Sequence, residues 1–296
     1  MRDKLMKMRH IKPLSYIVFF LAAFIVFIFI TFPGDLIKKR IIAEIESSTP
    51  YKVDIEEAGI SPLLSIELAG VKLYKSKDRF LKVDSLSIRP SVFALIFGTK
   101  KFPFKAKLLN GEVEGSVSMA GSRAREIEAT VKHLTIDSIP ALISSDDARM
   151  FSLGGVMDGS VHIELEPRSM GEFQFEINRL SMKDIKVKGM SLPSFTDLKS
   201  VVKGNIDGKR TNILALNVTG KDIDLEITGS TPLFWDMPKG GLIDLGYRLE
   251  MKGAQMAKYK GLLAPYLATQ RDGSLGGKIL GTVKNPRFEK GTITRF

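Results

Sequence analysis

The sequence predicts a mainly β protein: an N-terminal transmembrane helix, then a long antiparallel β-rich region with a few short helices. Three observations predict it. Leu14–Phe32 is a nineteen-residue run without a charge, long enough to cross a bilayer at 1.5 Å per residue. From Tyr51 onward apolar and polar residues alternate with period two, the mark of sheet with one wet face. Turn residues interrupt that alternation every 8–15 residues or so, which sets about 14 strands.

Residues 1–13 carry Arg2, Lys4, Lys7, Arg9 and Lys12 against Asp3, so the positive-inside rule places this tail in the cytoplasm. Residues 14–32 form the membrane anchor, with Leu14 opening it and Tyr16 and Phe32 near its ends, where aromatic rings favour the interface. Thr31-Phe-Pro-Gly34 offers no small-x-small cleavage site, so the run reads as an uncleaved signal anchor. Residues 33–50 read as a juxtamembrane helix. Pro33-Gly34 ends the span, Asp35 can cap the next helix, and Ile37, Ile41 and Ile45 recur on one face opposite Lys39 and Glu46. That stripe either packs on the domain that follows or lies on the membrane surface.

Residues 51–296 are read as the β-rich domain. Ile66 and Leu68, then Val71 and Leu73, alternate, with a phase slip at Ala69-Gly70 that predicts a bulge. Leu81 and Val83, then Leu86 and Ile88, slip in the same way. Phe102, Phe104, Ala106 and Leu108 lead to Asn110-Gly111, a type I′ hairpin signal, and Val113, Val117 and Met119 follow. Further strands fall on Ile127–Val131, Val161–Leu165 with Ile163, and Phe173–Ile177 with Phe175. "KDIKVKG", "TNILALNVTG", Ile223–Ile227 with Leu225, "GLIDLGYRLEMKG" with Leu245, and "GGKILGTVKNPRF" with Val283 complete the set. The apolar face through Ile66, Leu68, Phe104, Val113, Val117, Ile163, Phe173, Phe175, Ile223, Leu225, Ile227, Leu245 and Val283 is the candidate working surface. "SVFALIFG" is a turn of helix or a strand. "SIPALISSDDARM", with Ser138 as cap, and "GAQMAKYKGLLAPYLATQ", split by Pro265, predict short helices.

No reactive constellation emerges from the spacing. The chain has no cysteine, which excludes disulfides and thiolate chemistry. Its three histidines have no metal spacing. His10 lies in the tail, His162 sits singly on the polar side of its strand, and the face of His133 is ambiguous. Asp222, Asp224 and Glu226, like Glu164 and Glu166, fall on polar faces where alternation alone would put them. Gly189–Pro193 lacks the second glycine of a nucleophile elbow. Asp272–Ile279 lacks the first glycine and the Ser/Thr of a phosphate loop. The expectation is a non-enzyme with no cofactor and no metal. The net charge of +11 is compatible with an anionic membrane nearby, and no run of basic residues interleaved with aromatics points to nucleic acid.

The order of segments carries a resemblance. "IIAEIESSTPYKVDIEEAGISPLLSIELAGVKLY", "LKVDSLSIRPSVFALIFGTKKFPFKAKLLNGEVEGSVS", "SLPSFTDLKSVVKGNIDGKRTNILALNVTGKDIDLEITGSTPL" and "RDGSLGGKILGTVKNPRF" follow one another behind a single anchor. Over nearly its whole length the chain resembles the type II secretion protein N (GspN) family, and its closing segment also resembles the wider AsmA-like group of envelope proteins. The resemblance implies a bacterial inner-membrane protein, crossing once, with the bulk of the chain periplasmic and serving type II protein secretion. It also implies a curved, groove-like AsmA-like sheet. The partners expected are the inner membrane and other secretion components, through edge strands or polar patches such as Lys186 and Lys188, and phospholipid is the alternative ligand for the apolar groove.

Overall fold

The computed structural model describes residues 19, 20, 23, 34–48, 51–61, 65–75, 78–89, 100–121, 123–138, 152–187, 190–233, 236, 237, 240–264, 267–283 and 285–291. Among these, sixteen strands are hydrogen-bonded in antiparallel sheet and two more form a small ribbon. Phe19, Phe20 and Ala23 are helical. Among the described residues no helix is long and apolar enough to cross a membrane. Leu14, Tyr16 and Phe32 lie outside the described residues, as do "SVFALIFG" and all of "SIPALISSDDARM" but Ser138. The chain divides into two compact units, residues 1–90 and 91–296.

In the first unit, α1 (Gly34–Ser48) precedes β1 (Lys52–Asp54), β2 (Glu57–Ile60), β3 (Ile66–Lys75) and β4 (Asp78–Ile88). β1 and β2 pair in turn with the two ends of β3, whose other edge pairs with β4. The two phase slips read from the sequence face each other. Ile66 pairs with Ile88 and Leu68 with Leu86 on one side of the slip, and Val71 with Val83 and Leu73 with Leu81 on the other. Gly70 takes φ +61° there, a conformation a side chain would strain, and so Leu68 and Val71 can enter one core with Val53 and Ile55. Ile41, Ile42 and Ile45 of α1 pack on that core, and Ile37 is half-buried one turn earlier. Asp35 is the second residue of the helix, in its first turn, rather than the cap expected. There it complements the positive helix end.

The second unit is a meander. β5 (Lys100–Leu108), β6 (Gly111–Ala120), β7 (Arg123–Thr135), β8 (Ser152–Glu164) and β9 (Met170–Lys183) pair in sequence. β10 (Lys186–Val187) and β11 (Met190–Ser191) then form the separate ribbon, so "KDIKVKG" supplies no strand of the sheet as expected. Lys186 belongs to the ribbon and Lys188 lies outside the described residues. β12 (Phe195–Asp207) returns beside β9, followed by β13 (Arg210–Thr219), β14 (Ile223–Pro232) and β15 (Leu242–Met251). α2 (Ala254–Leu263) ends just before Pro265, which cannot continue it. β17 (Leu275–Thr282) pairs with β15 and carries β16 (Ala268–Thr269) and β18 (Asn285–Lys290) on its other edge.

β12 is a strand the alternation does not announce. Ser200 and Gly204 take apolar-face positions in it, and Asp197 at φ +56° breaks its phase. The hairpin between β5 and β6 forms as expected, but its turn is one residue earlier. Leu108 pairs with Gly111, and Leu109 (φ +50°) and Asn110 (φ +59°) are the two central residues. Leu109 accepts that conformation because its side chain packs on the core and its carbonyl receives the Thr135 N–H at 2.9 Å.

Bulges occur in four neighbouring strands. They fall between Val131 and Leu134, between Gly154 and Val156, and on both sides of Leu198, with His133, Arg179 and Asp197 at positive φ. Carboxylates take up two backbone groups there: the His133 N–H donates to Asp158 Oδ1 at 2.8 Å and the Gly155 N–H to Asp137 Oδ1 at 2.7 Å. Each bulge bends its strand. The residues beyond this line, Leu134, Ile136, Leu180, Phe195 and Leu198, are all buried and form the densest core, joined by Met256 of α2.

Candidate functional site

Register, rather than any single motif, builds the candidate surface. In an antiparallel pair, residues directly opposite share a face. Phe175, Val202, Leu216, Ile227 and Tyr247 stand opposite one another in turn across β9, β12, β13, β14 and β15. A parallel row joins Phe104, Gly115, Ala129, Val161 and Phe173 across β5 to β9, and continues through Gly204, Ile213, Gly229, Leu245 and Ile279. Val117, Ile127 and Ile163 form a third row, and Val218, Leu225 and Leu249 a fourth.

Of the residues predicted for this surface, Phe104, Val113, Val117, Ile163, Phe173, Phe175, Ile223, Leu225, Ile227 and Leu245 share the apolar face of the second unit. Val283 continues the phase of β17 just past its end, its N–H donating to Gly241 O at 3.1 Å. Ile66 and Leu68 lie in the first unit, where they pack in the core beneath α1. Ile163, Phe173 and Ile223 are buried, whereas Phe104, Val113, Val117, Phe175, Leu225, Ile227 and Leu245 are half-buried. The face therefore retains accessible apolar area along much of its length. Polar groups sit within it too, among them Ser200, Thr211 and Tyr247. The Tyr247 hydroxyl is buried with no hydrogen-bond partner among the described residues, and burial raises its pKa.

The opposite face is charged in cross-strand ladders. Lys105 and Lys132 both reach Glu114, at 2.6 and 2.9 Å; hydrogen bonds from these two lysines hold its carboxyl at about 2. Asp224 pairs with Lys252 at 2.6 Å and Glu226 with Arg248 at 3.3 Å, so these carboxylates, in line on one strand, are spent on neighbouring cations. Glu166 faces Arg123 at 3.8 Å. Gly276, Gly277 and Lys278 lie in β17, paired to β15, and form no phosphate loop. His133 is exposed beside Asp158 at 3.7 Å.

His162 is not solitary. Its Nδ1 stands 3.8 Å from Glu126 Oε1 and 3.6 Å from Glu128 Oε1, and its Nε2 stands 3.9 Å from Glu164 Oε1. Among the described residues, Glu126, Glu128 and His162 are the group whose metal-ligating atoms all lie within 4.8 Å of one another. Spacing could not reveal this, because the residues come from two strands, and only the pairing of Glu128 with His162 brings them together.

No family model matches the chain, and no curated protein or solved structure is similar to it.

Proposed function

We propose that this chain is a non-catalytic accessory component of bacterial type II protein secretion, anchored in the inner membrane by residues 14–32 with its β-rich region in the periplasm. The observation that carries this reading is the half-buried apolar face, repeated row after row across the strands of the second unit. Such a face is extended rather than focused on a few reacting groups, and suits a long contact better than a reaction. The uncharged N-terminal run and the resemblance to GspN supply the compartment and the machine. The test is secretion of a folded type II substrate by cells carrying the full chain with Val117→Asp or Leu225→Asp. Secretion should fall at unchanged chain level. Normal secretion after deletion of the whole gene would overturn the role.

A second reading is favoured by the half-burial of Phe104, Val117, Phe175, Leu225, Ile227 and Leu245: the face is an AsmA-like groove that takes phospholipid acyl chains. Native mass spectrometry of the full chain extracted in mild detergent separates the two. About one or more phospholipids per chain, lost in Leu225→Asp, support the groove. A lipid-free wild-type chain refutes it and leaves the protein contact standing.

A further inference from the structure

We propose that Glu126, Glu128 and His162 form a binding site for a divalent transition-metal ion, Zn²⁺ by preference, on the polar face of the second unit. The distances from Nδ1 of His162 to the two carboxylates, 3.6 and 3.8 Å, are too long for hydrogen bonds. They suit donors that share an ion: with metal–ligand bonds of about 2.0–2.1 Å, tetrahedral donors stand about 3.4 Å apart. Side-chain adjustment of about half an ångström brings both carboxylates to that distance from Nδ1, and the ligating atoms of all three residues lie within 4.8 Å of one another.

Two of the three donors have a polar neighbour on the side away from the ion. Nε2 of His162 faces Glu164 at 3.9 Å, so a carboxylate stands on the side of the ring turned away from the ion, where a small side-chain shift would let it accept the ring N–H and orient the imidazole. Glu128 accepts from Lys101 Nζ and from Ser116 Oγ, each at 3.3 Å and each at Oε2. Its Oε1 is thereby left toward His162. Glu172 of β9 stands directly opposite His162 on the other side. Four carboxylates thus surround one imidazole, with Lys101 the nearest cation reaching them, so the field favours a divalent ion. The three ligands sit on paired strands rather than loops, which keeps them in place before an ion arrives. The imidazole sets the preference, since Ca²⁺ and Mg²⁺ favour oxygen donors alone. Three protein ligands leave a fourth position open.

The test is titration of the chelator-stripped full chain in detergent micelles with Zn²⁺ alone, followed by calorimetry, and with Co²⁺, followed by its visible absorption. One Zn²⁺ per chain is expected. His162→Ala should weaken binding at least about tenfold, and Glu164→Gln, whose carboxylate faces Nε2 of the ring, by about tenfold. His10→Ala should change nothing. Both site variants should keep the wild-type far-ultraviolet circular dichroism, since the side chains are partly exposed. A wild-type chain that takes up no Zn²⁺ would overturn the proposal. So would uptake of Ca²⁺ and Zn²⁺ alike that survives His162→Ala.

Discussion

Leu198→Ala tests the claim that the line of bulges gathers the second unit's core. Leu198 is 2% exposed and packs with Leu134, Leu180, Phe195 and Val218. One wall of its site is bare backbone: a Cβ on Gly220 would stand 2.1 Å from Leu198 Cδ2. Truncation removes about three methylene equivalents, or roughly 2.4 kcal/mol of transfer free energy at about 0.8 each. Backbone walls collapse poorly, so a cavity contribution brings the expected cost to about 3–4 kcal/mol. That is more than a hundredfold in the folded-to-unfolded ratio. The assay is urea unfolding of the full chain in micelles, followed by far-ultraviolet circular dichroism. At a slope of about 2–3 kcal/mol/M the midpoint should fall by more than about 1 M. Leu214→Ala is the control. Leu214 is the extra residue of the bulge between Ile213 and Leu216 and is 59% exposed, so its loss should cost under about 0.5 kcal/mol. A cost for Leu198→Ala below about 1 kcal/mol, or equal costs for the two, would refute the reasoning.

Other outcomes follow from single positions. Gly204→Ala should destabilise by about 1–3 kcal/mol through overpacking, because its Cβ would stand 2.4 Å from Phe173 Cζ; the thermal midpoint reads this. Asn110→Ala should cost about 1 kcal/mol, since alanine tolerates the left-handed conformation poorly, whereas Asn110→Gly should be nearly neutral in the same measurement. The Asp272 carboxyl is held at about 2 by hydrogen bonds from the Ser274 hydroxyl and backbone N–H and by Arg248. A folded-state pKa below the usual carboxylate value of about 4 means that its stabilisation is fully present above pH 4 and is lost as pH falls toward 2. Asp272→Asn should therefore flatten the acid limb of a stability-against-pH curve in that window, and an unchanged limb would count against the pairing.

Phe104, Phe173 and Leu225 show what alternation can convey. Their side of the strand follows from their neighbours alone, because successive side chains on a strand must point to opposite faces. β12 shows where that signal stops. Its Ser200 and Gly204 face the apolar side because Ile177 and Phe173, opposite them on β9, fill the space, a fact of the neighbouring strand. The turn at Leu109-Asn110 likewise departs from the Asn-Gly signal by one residue. Pairing Val113 with Ala106 and Val131 keeps three apolar residues in register, and that outweighs the local preference of the turn.

The sequence by itself determined the β-rich class, the apolar side of most strands, the helix at α1 and the paired phase slips of β3 and β4, because each is written in spacings of a few residues. Tertiary structure decided which strands stand together, and with them the bulge line that buries Leu134, Leu180 and Leu198. It also decided that Ile66 and Leu68 pack with Val53 and Ile55 beneath α1. The gathering of Glu126 and Glu128 around His162 was decided in the same way, since residues more than thirty positions apart meet only through hydrogen bonds between strands, and no spacing along the chain encodes which strand will be the neighbour.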